Sequence, residues 1–226
     1  MPPASANAPR RPRPWELTIE VVAVAVLAAA CWRPRSTQEG APTASEPEPP
    51  GEVLDVEMAL AVMTRPDSGP LGEAAHRWDQ ADIKVFVDLP GFPSDLLGEV
   101  SAAMSWVSES SGVRFHTAAT AAEADMRITE IQSNGGQVRV TVDGFRIEAA
   151  EVQLGCCRVR PVWEEISQAM GPLGDRADGR SLFSQDVASA QRGTTFDEWV
   201  LRSLYAAPLG ANIRELRSSL ESHRVP

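Results

Sequence analysis

The sequence predicts an α/β domain in which a mixed sheet of about five strands packs with an upper helix, a helix around residue 165 and a C-terminal helix. Three observations carry that prediction. The stretch "DIKVFVDL" from Asp82 alternates Ile83, Val85 and Val87 with Lys84, Phe86 and Asp88. Leu96, Leu97, Val100, Ala103, Met104 and Val107 recur at three- and four-residue steps. Four β-branched alternating stretches then follow before helical periodicity resumes, an order that suits a two- or three-layer domain and not a repeat array.

Residues 1–35 read as an export signal or membrane anchor. Arg10, Arg11, Arg13, Arg33 and Arg35 outnumber Glu16 and Glu20, and the apolar run "VVAVAVLAAACW" spans Val21 to Trp32. That run is shorter than the roughly 20 residues a spanning helix needs, and it ends near the small triplet Ala28, Ala29 and Ala30, as in an export signal. Cys31 directly after the triplet resembles the lipidated cysteine of bacterial lipoproteins, although Ala28 stands where leucine is usual. Adding Leu17 to Val21, with Glu20 snorkelling, would instead give an uncleaved anchor. Lipidated, anchored and released products all fit these residues.

Residues 36–52, "STQEGAPTASEPEPPGE", hold no aliphatic side chain larger than alanine. Such a stretch cannot bury enough surface to fold, and its prolines keep it extended, so it reads as a disordered spacer before a domain at 53–226. The expected location is extracytoplasmic, with the membrane reached through the N-terminal segment. Past residue 35 the chain carries 16 basic and 29 acidic side chains, a net of −13. Phosphates would be repelled, and no basic patch with interleaved aromatics offsets this, so nucleic acid is excluded as a partner. Cys156 and Cys157 are adjacent, closer than an ordinary disulfide allows, and read as thiols at a strand end.

Along the folded part, "VLDVEMALAVM" at Val53 to Met63 has an ambiguous period and fits an extra helix or strand. The strand at Asp82 is expected to bury both faces at least partly, and "PGFP" ends it. Ser94 is placed to cap the next helix, which stops at Gly112. "VRFHTA", "DMRITEIQ", "QVRVTVD" and "FRIEAAEVQL" are four strands, the last three read mainly as hairpins joined by tight turns at Ser133–Gly136 and Asp143–Gly144. Pro161 suits a first helical position, so a helix runs from about Arg160 to Met170 and stops at Gly171 and Pro172. Thr195 and Glu198 are positioned as a capping box for "FDEWVLRSLYAA", and a last helix starts at Asn212.

Stepping the helix at Pro161 by about 100° per residue puts Val162, Trp163, Ile166, Ala169 and Met170 on one arc. Glu164, Glu165 and Gln168 share the opposite arc, and for an amphipathic helix that arc is a solvated face. The surrounding layout offers another reading. Zincins bind zinc through two histidines one helical turn apart, with a glutamate beside the first as general base and a glycine turn leading to a third ligand. Glu164 and Gln168 stand at the two histidine positions, Glu165 at the base position and Gly171 at the turn, with Asp175 just past the third-ligand position.

Further residues extend this pattern. "SLFSQ" at Ser181 to Gln185 stands where matrixin-type metzincins carry a methionine turn, with Phe183 in place of methionine. "TTFDEWVLRSLY" resembles the closing helix of that family through Asp197, Arg202, Leu204 and Tyr205, and Arg77 and Trp78 precede the first strand as they do there. From about Arg77 to Leu209 the chain resembles a bacterial family of unknown function that looks like a metzincin with its zinc histidines replaced. It departs from that family at Gly174, where asparagine is common, and at Trp163.

The resemblance implies a metzincin-like fold with a degenerate active-site helix, in which Glu165 holds the catalytic-base position and Glu164, Gln168 and Asp175 the ligand region. An amide is a poor zinc ligand, and His76, His116 and His223 lie far from the helix in sequence, with His116 read as partly buried. No metal or cofactor is therefore expected, although a hard ion such as calcium could draw on Glu164, Gln168 and Asp175. A structural role would have Glu165 and Gln168 bond backbone around the turn that replaced the methionine turn. The functional expectation is a tethered, non-catalytic domain that binds a protein, peptide or other cell-envelope partner. The alternative is an atypical metallopeptidase.

Overall fold

The computed structural model describes residues 54–64, 74–156, 158–172, 181–184 and 190–224, together with the backbone of 17–21. Six strands and five α-helices follow in chain order. They are β1 (Leu17–Val21), α1 (Val56–Met63), β2 (Asp82–Asp88), α2 (Ser94–Ser111), β3 (Arg114–Thr117), β4 (Met126–Ile131), β5 (Gly136–Asp143), β6 (Arg146–Gly155), α3 (Val159–Gln168), α4 (Thr195–Ala206) and α5 (Ile213–Ser222). The ambiguous segment before residue 64 is thus a helix, begun by Asp55, whose carboxylate accepts the Glu57 and Met58 backbone N–H groups.

The strands form one mixed sheet in the order β1, β5, β6, β4, β2, β3. β3, β2, β4 and β6 run parallel, while β5 lies antiparallel between β6 and β1. Leu17–Val21, expected within the export signal or anchor, therefore adds a sixth strand along the outer edge of β5. Among the described residues no helix is long and apolar enough to cross a membrane.

Only one face of the sheet is buried. Ile83 and Val85, Met126 and Ile128, Val138 and Val140, and Val152 and Leu154 share a core with Val100, Ala103 and Val107 of α2 and with Val162 and Ile166 of α3. The opposite face is polar: Lys84 and Arg127 are exposed, and Arg139 pairs with Glu151 across β5 and β6 at 3.4 Å. The domain has two layers here; β2 buries Ile83 and Val85 on the core face, while on the outer face only Phe86 is partly buried and Lys84 and Asp88 are exposed. A second core lies among the helices, where α1 and α5 pack on α4 around Leu60, Phe183, Phe196, Trp199 and Leu216. The Trp199 indole donates to Leu220 O at 2.9 Å and joins α4 to α5.

Several local expectations need correction. β4 and β5 are not a hairpin, because β6 inserts between them, parallel to β4 and antiparallel to β5. The Ser133–Gly136 connection instead crosses the end of β6 at Gly155, whose N–H donates to Gly135 O at 2.8 Å. Only the Asp143–Gly144 turn closes a hairpin, with Gly144 at φ 60°. Ser94 is the first residue of α2 and not its cap, and Pro93 precedes it without a side-chain cap bond. The capping box of α4 sits one residue earlier than expected, with Thr194 and Asp197 as its reciprocal pair. His116 is exposed at the outer strand, where it and Arg114 contact Asp82, each at 2.7 Å.

Glycine positions give a direct test of this topology. A Cβ on Gly155 would lie 2.1 Å from Ser133 O, whereas one on Gly98, exposed within α2, would meet nothing within 4 Å. Urea unfolding is expected to show Gly155→Ala destabilised by about 1–3 kcal/mol. Gly98→Ala is expected to be stabilised by about 0.5–1 kcal/mol, as for any exposed helix interior.

Candidate functional site

Helix α3 lies beneath β5 and β6 and beside α2. Arg158 precedes it in extended conformation without a side-chain cap, and Val159, not Pro161, is its first residue. Pro161 in the first turn costs no intrahelical bond, because the first four N–H groups of a helix have no partner within it. Val162, Ile166, Ala169 and Met170 are fully buried against the sheet core.

The polar arc is not solvated. Glu165 is 2% exposed and Gln168 0%, while Glu164 keeps 15% of its side-chain surface. The expectation of a solvated face fails because α3 packs on β5, β6 and α2, with Gly136 against Glu165 and Ser184 reached by Arg160. Glu164 forms an ion pair with Arg160 one turn earlier, at 3.3 Å, and the Arg160 guanidinium also donates to Ser184 O. Glu165 lies against Gly136, where β5 begins. A Cβ there would stand 2.5 Å from Glu165 Cγ, so the absent side chain is what admits the glutamate.

Trp163 ties the helix sideways. Its indole donates to Glu99 Oε2 at 2.8 Å, its ring lies 5.8 Å from the Trp106 ring, and Arg192 donates two hydrogen bonds to the same Glu99 carboxylate. Arg192 first and Trp163 second hold the Glu99 carboxyl down at about 2, against an ordinary value of 4.5. The C-terminal end of α3 is held from far away in sequence. Trp78 Nε1 donates to Ala169 O and Tyr205 Oη to Met170 O, both at 2.9 Å. Arg77 lies over the Tyr205 ring, 5.5 Å from its centroid, and donates to Trp78 O and Ala207 O. Burial pushes the Tyr205 phenol well above its ordinary range, partly opposed by a backbone hydrogen bond from Trp78 and by the Arg77 charge. Gly171 takes φ 121°, and a Cβ on it would lie 2.0 Å from His76 O, so both its conformation and its closeness require glycine.

The turn beneath α3 is organised by Asp197. This buried carboxylate accepts from Ser181 Oγ at 2.5 Å, Leu182 N at 3.1 Å, Thr194 N at 3.0 Å and Thr194 Oγ1 at 2.9 Å. Burial raises its pKa, while the same Ser181, Leu182 and Thr194 bonds favour the charged form. Ser181 Oγ in turn accepts from Phe183 N at 3.0 Å, which seats the fully buried Phe183 in the second core.

The structure thus brings together Glu164, Glu165 and Gln168 from the predicted set, while Asp175, Cys31 and Cys157 lie outside the described residues. The histidines do not join them. The His76 ring packs 6.1 Å from Phe145, and burial lowers its pKa against a backbone bond to Gly144. His116 contacts Asp82, and His223 contacts Ser219 and Ser222. Arg160 and Glu99 belong to the site and were missed. Arg160 has a sequence signal in its i,i+4 spacing to Glu164, whereas Glu99 has none. Chemically, the arc is a buried polar seam, and Glu165 is closed away from the solvent that a general base would have to activate. The chain matches no protein-family model and no curated protein by sequence.

Two measurements check this geometry. Tyr205→Phe strands the buried Met170 carbonyl, and thermal or chemical unfolding is expected to show a loss of about 1–3 kcal/mol. Glu99 has a depressed folded pKa, so its contribution is complete above pH 4.5 and disappears as pH falls toward 2. Over that window wild-type stability is expected to fall more steeply than that of Glu99→Gln. Parallel curves would remove Glu99 from the account.

Proposed function

We propose that this chain is an exported, membrane-tethered domain of metzincin-like architecture whose degenerate active-site helix supports the fold, and which binds an extended segment of a protein or cell-envelope partner along β5. The observation that carries the non-catalytic reading is the enclosure of the polar arc. Glu164 is paired with Arg160, Glu165 lies 2% exposed against Gly136 of β5, and Gln168 is fully buried. Zinc does not fit these donors: one carboxylate is engaged by a guanidinium, one side chain is an amide, and the imidazoles of His76, His116 and His223 are turned to other partners.

The architecture supports the family resemblance in its order: four parallel strands, an antiparallel strand beside them, a helix beneath, then a tight turn and a closing helix. Arg77, Trp78, Gly171, Asp197 and Tyr205, which suggested the resemblance, converge around the end of α3 and the turn below it. The binding reading is supported by β5 itself, whose outer edge pairs antiparallel with an extended segment, Leu17–Val21 of the same chain. Main-chain bonds to such an edge supply affinity largely independent of sequence. Tethering follows from the basic and apolar character of residues 1–35 and the spacer after them.

Metal content of the full chain, expressed in zinc-supplemented medium and dialysed without chelator, tests the first part. Far less than one zinc per chain is expected. About one zinc, lost in Glu164→Ala, Gln168→Ala, would favour the metallopeptidase and overturn the non-catalytic reading. For the binding part, Thr18→Pro with Ile19→Pro removes whichever of the two neighbouring N–H groups faces β5. Adding a synthetic peptide with the sequence of Leu17–Val21 to that variant should slow amide exchange in Gly136–Asp143, and unchanged exchange would count against the edge as a binding site.

A further inference from the structure

The opposite edge of the sheet carries a second feature, independent of α3. Between α2 and β3 lies an open cavity of about 700 Å³, within the size range of ligand sites. Val87, Leu97, Val100, Met104 and Phe115 give it an apolar wall. Of the four large apolar side chains that are exposed among the described residues, two, Val87 and Leu97, belong to this wall. Exposed apolar surface is therefore concentrated here.

The cavity adjoins an open strand edge. β3 is the terminal strand of the sheet, and no described strand pairs with its outer side. Arg114 N donates to Ala81 O at 2.7 Å and Ala118 N to Val85 O at 2.9 Å, so alternate residues turn their backbone toward β2. In a parallel ladder the intervening residues, Phe115 and Thr117, direct theirs outward. Both residues also line the cavity. An edge that offers main-chain bonds beside an apolar groove walled by a helix suits one kind of occupant, an extended peptide.

We propose that the α2–β3 groove binds an extended, basic peptide segment of another chain, which adds as a strand on β3 and seats an apolar side chain against Leu97, Met104 and Phe115. Charge sets the basic preference: Glu109 lines the groove, no lysine or arginine does, His116 there is already held by Asp82, and the chain past residue 35 has a net charge of −13. The composition of the chain's own spacer does not match this occupant. Residues 36–52 hold Glu39, Glu46, Glu48 and Glu52 and no apolar side chain larger than alanine, so they lack the anchor and carry the wrong charge.

The test is selection of displayed random ten-residue peptides on the immobilised full chain, followed by affinity measurements with the enriched peptides. Enriched sequences should carry apolar residues two apart, flanked by lysine or arginine. Leu97→Glu should weaken them by about tenfold or more, as loss of a central apolar anchor does. Thr117→Pro, which removes an outward N–H without touching the β2 ladder, should weaken them similarly. The Thr18→Pro, Ile19→Pro variant, altered only at the β5 edge, should bind them as the wild type does. Leu97 is 39% exposed, so its substitution leaves the fold intact even if Thr117→Pro does not. No enrichment over an unrelated protein, or equal binding to Leu97→Glu, would overturn the proposal. Self-association abolished by Leu97→Glu would assign the groove to a second copy and overturn it as well.

Discussion

The C-terminal end of α3 is the constraint on which the rest of the domain turns. A helix leaves its last carbonyls without intrahelical partners, and burying them unpaired would cost a few kcal/mol in total. Here the indole of Trp78 and the phenol of Tyr205 supply the missing donors. Because Trp78 precedes β2 and Tyr205 lies in the last turn of α4, these two bonds tie chain segments from before and after α3 to its end. Arg77 completes the arrangement by lying on the Tyr205 ring and bonding the chain on either side. Gly171 then turns the chain where His76 O leaves no room for a side chain.

With the helix fixed there, its polar side has no route to solvent. Burying carboxylates and an amide is costly unless they are paired, and the fold meets that cost locally. Arg160 faces Glu164, Gly136 makes space for Glu165, and Asp197 draws the Ser181–Ser184 turn into place below. A helix with this layout could serve an open catalytic cleft only if its polar arc faced substrate. In this chain Glu165 and Gln168 face protein, and Glu164 keeps only a small share of its side-chain surface.

Much of the fold was legible in the sequence, for definite reasons. Alternation located β2 and the four later strands, and three-four spacing ending at Gly112 located α2, where Gly112 indeed takes φ 76°. Pairing was not legible: nothing local in Ser133–Gly136 says that β6 will insert between β4 and β5, and only Gly155 hints at the crossing. Caps were off by one residue, because Thr194 and Thr195 are both acceptable and Asp197 chooses between them by also reaching Ser181. At the candidate site, periodicity correctly found the apolar arc of α3 but could not say whether the polar arc met water. That depends on Gly136 against Glu165 and on Arg160, which reaches both Glu164 and Ser184, contacts set by tertiary packing.

The most direct measurement is native-state hydrogen exchange of the α3 amides from Ile166 to Met170 in the full chain. An enclosed helix whose end is held by Trp78 and Tyr205 should exchange only through global unfolding, with the same free energy as the central strands β4 and β6. Exchange through local opening, several kcal/mol below the global value, would show an exposed and mobile helix and contradict the account.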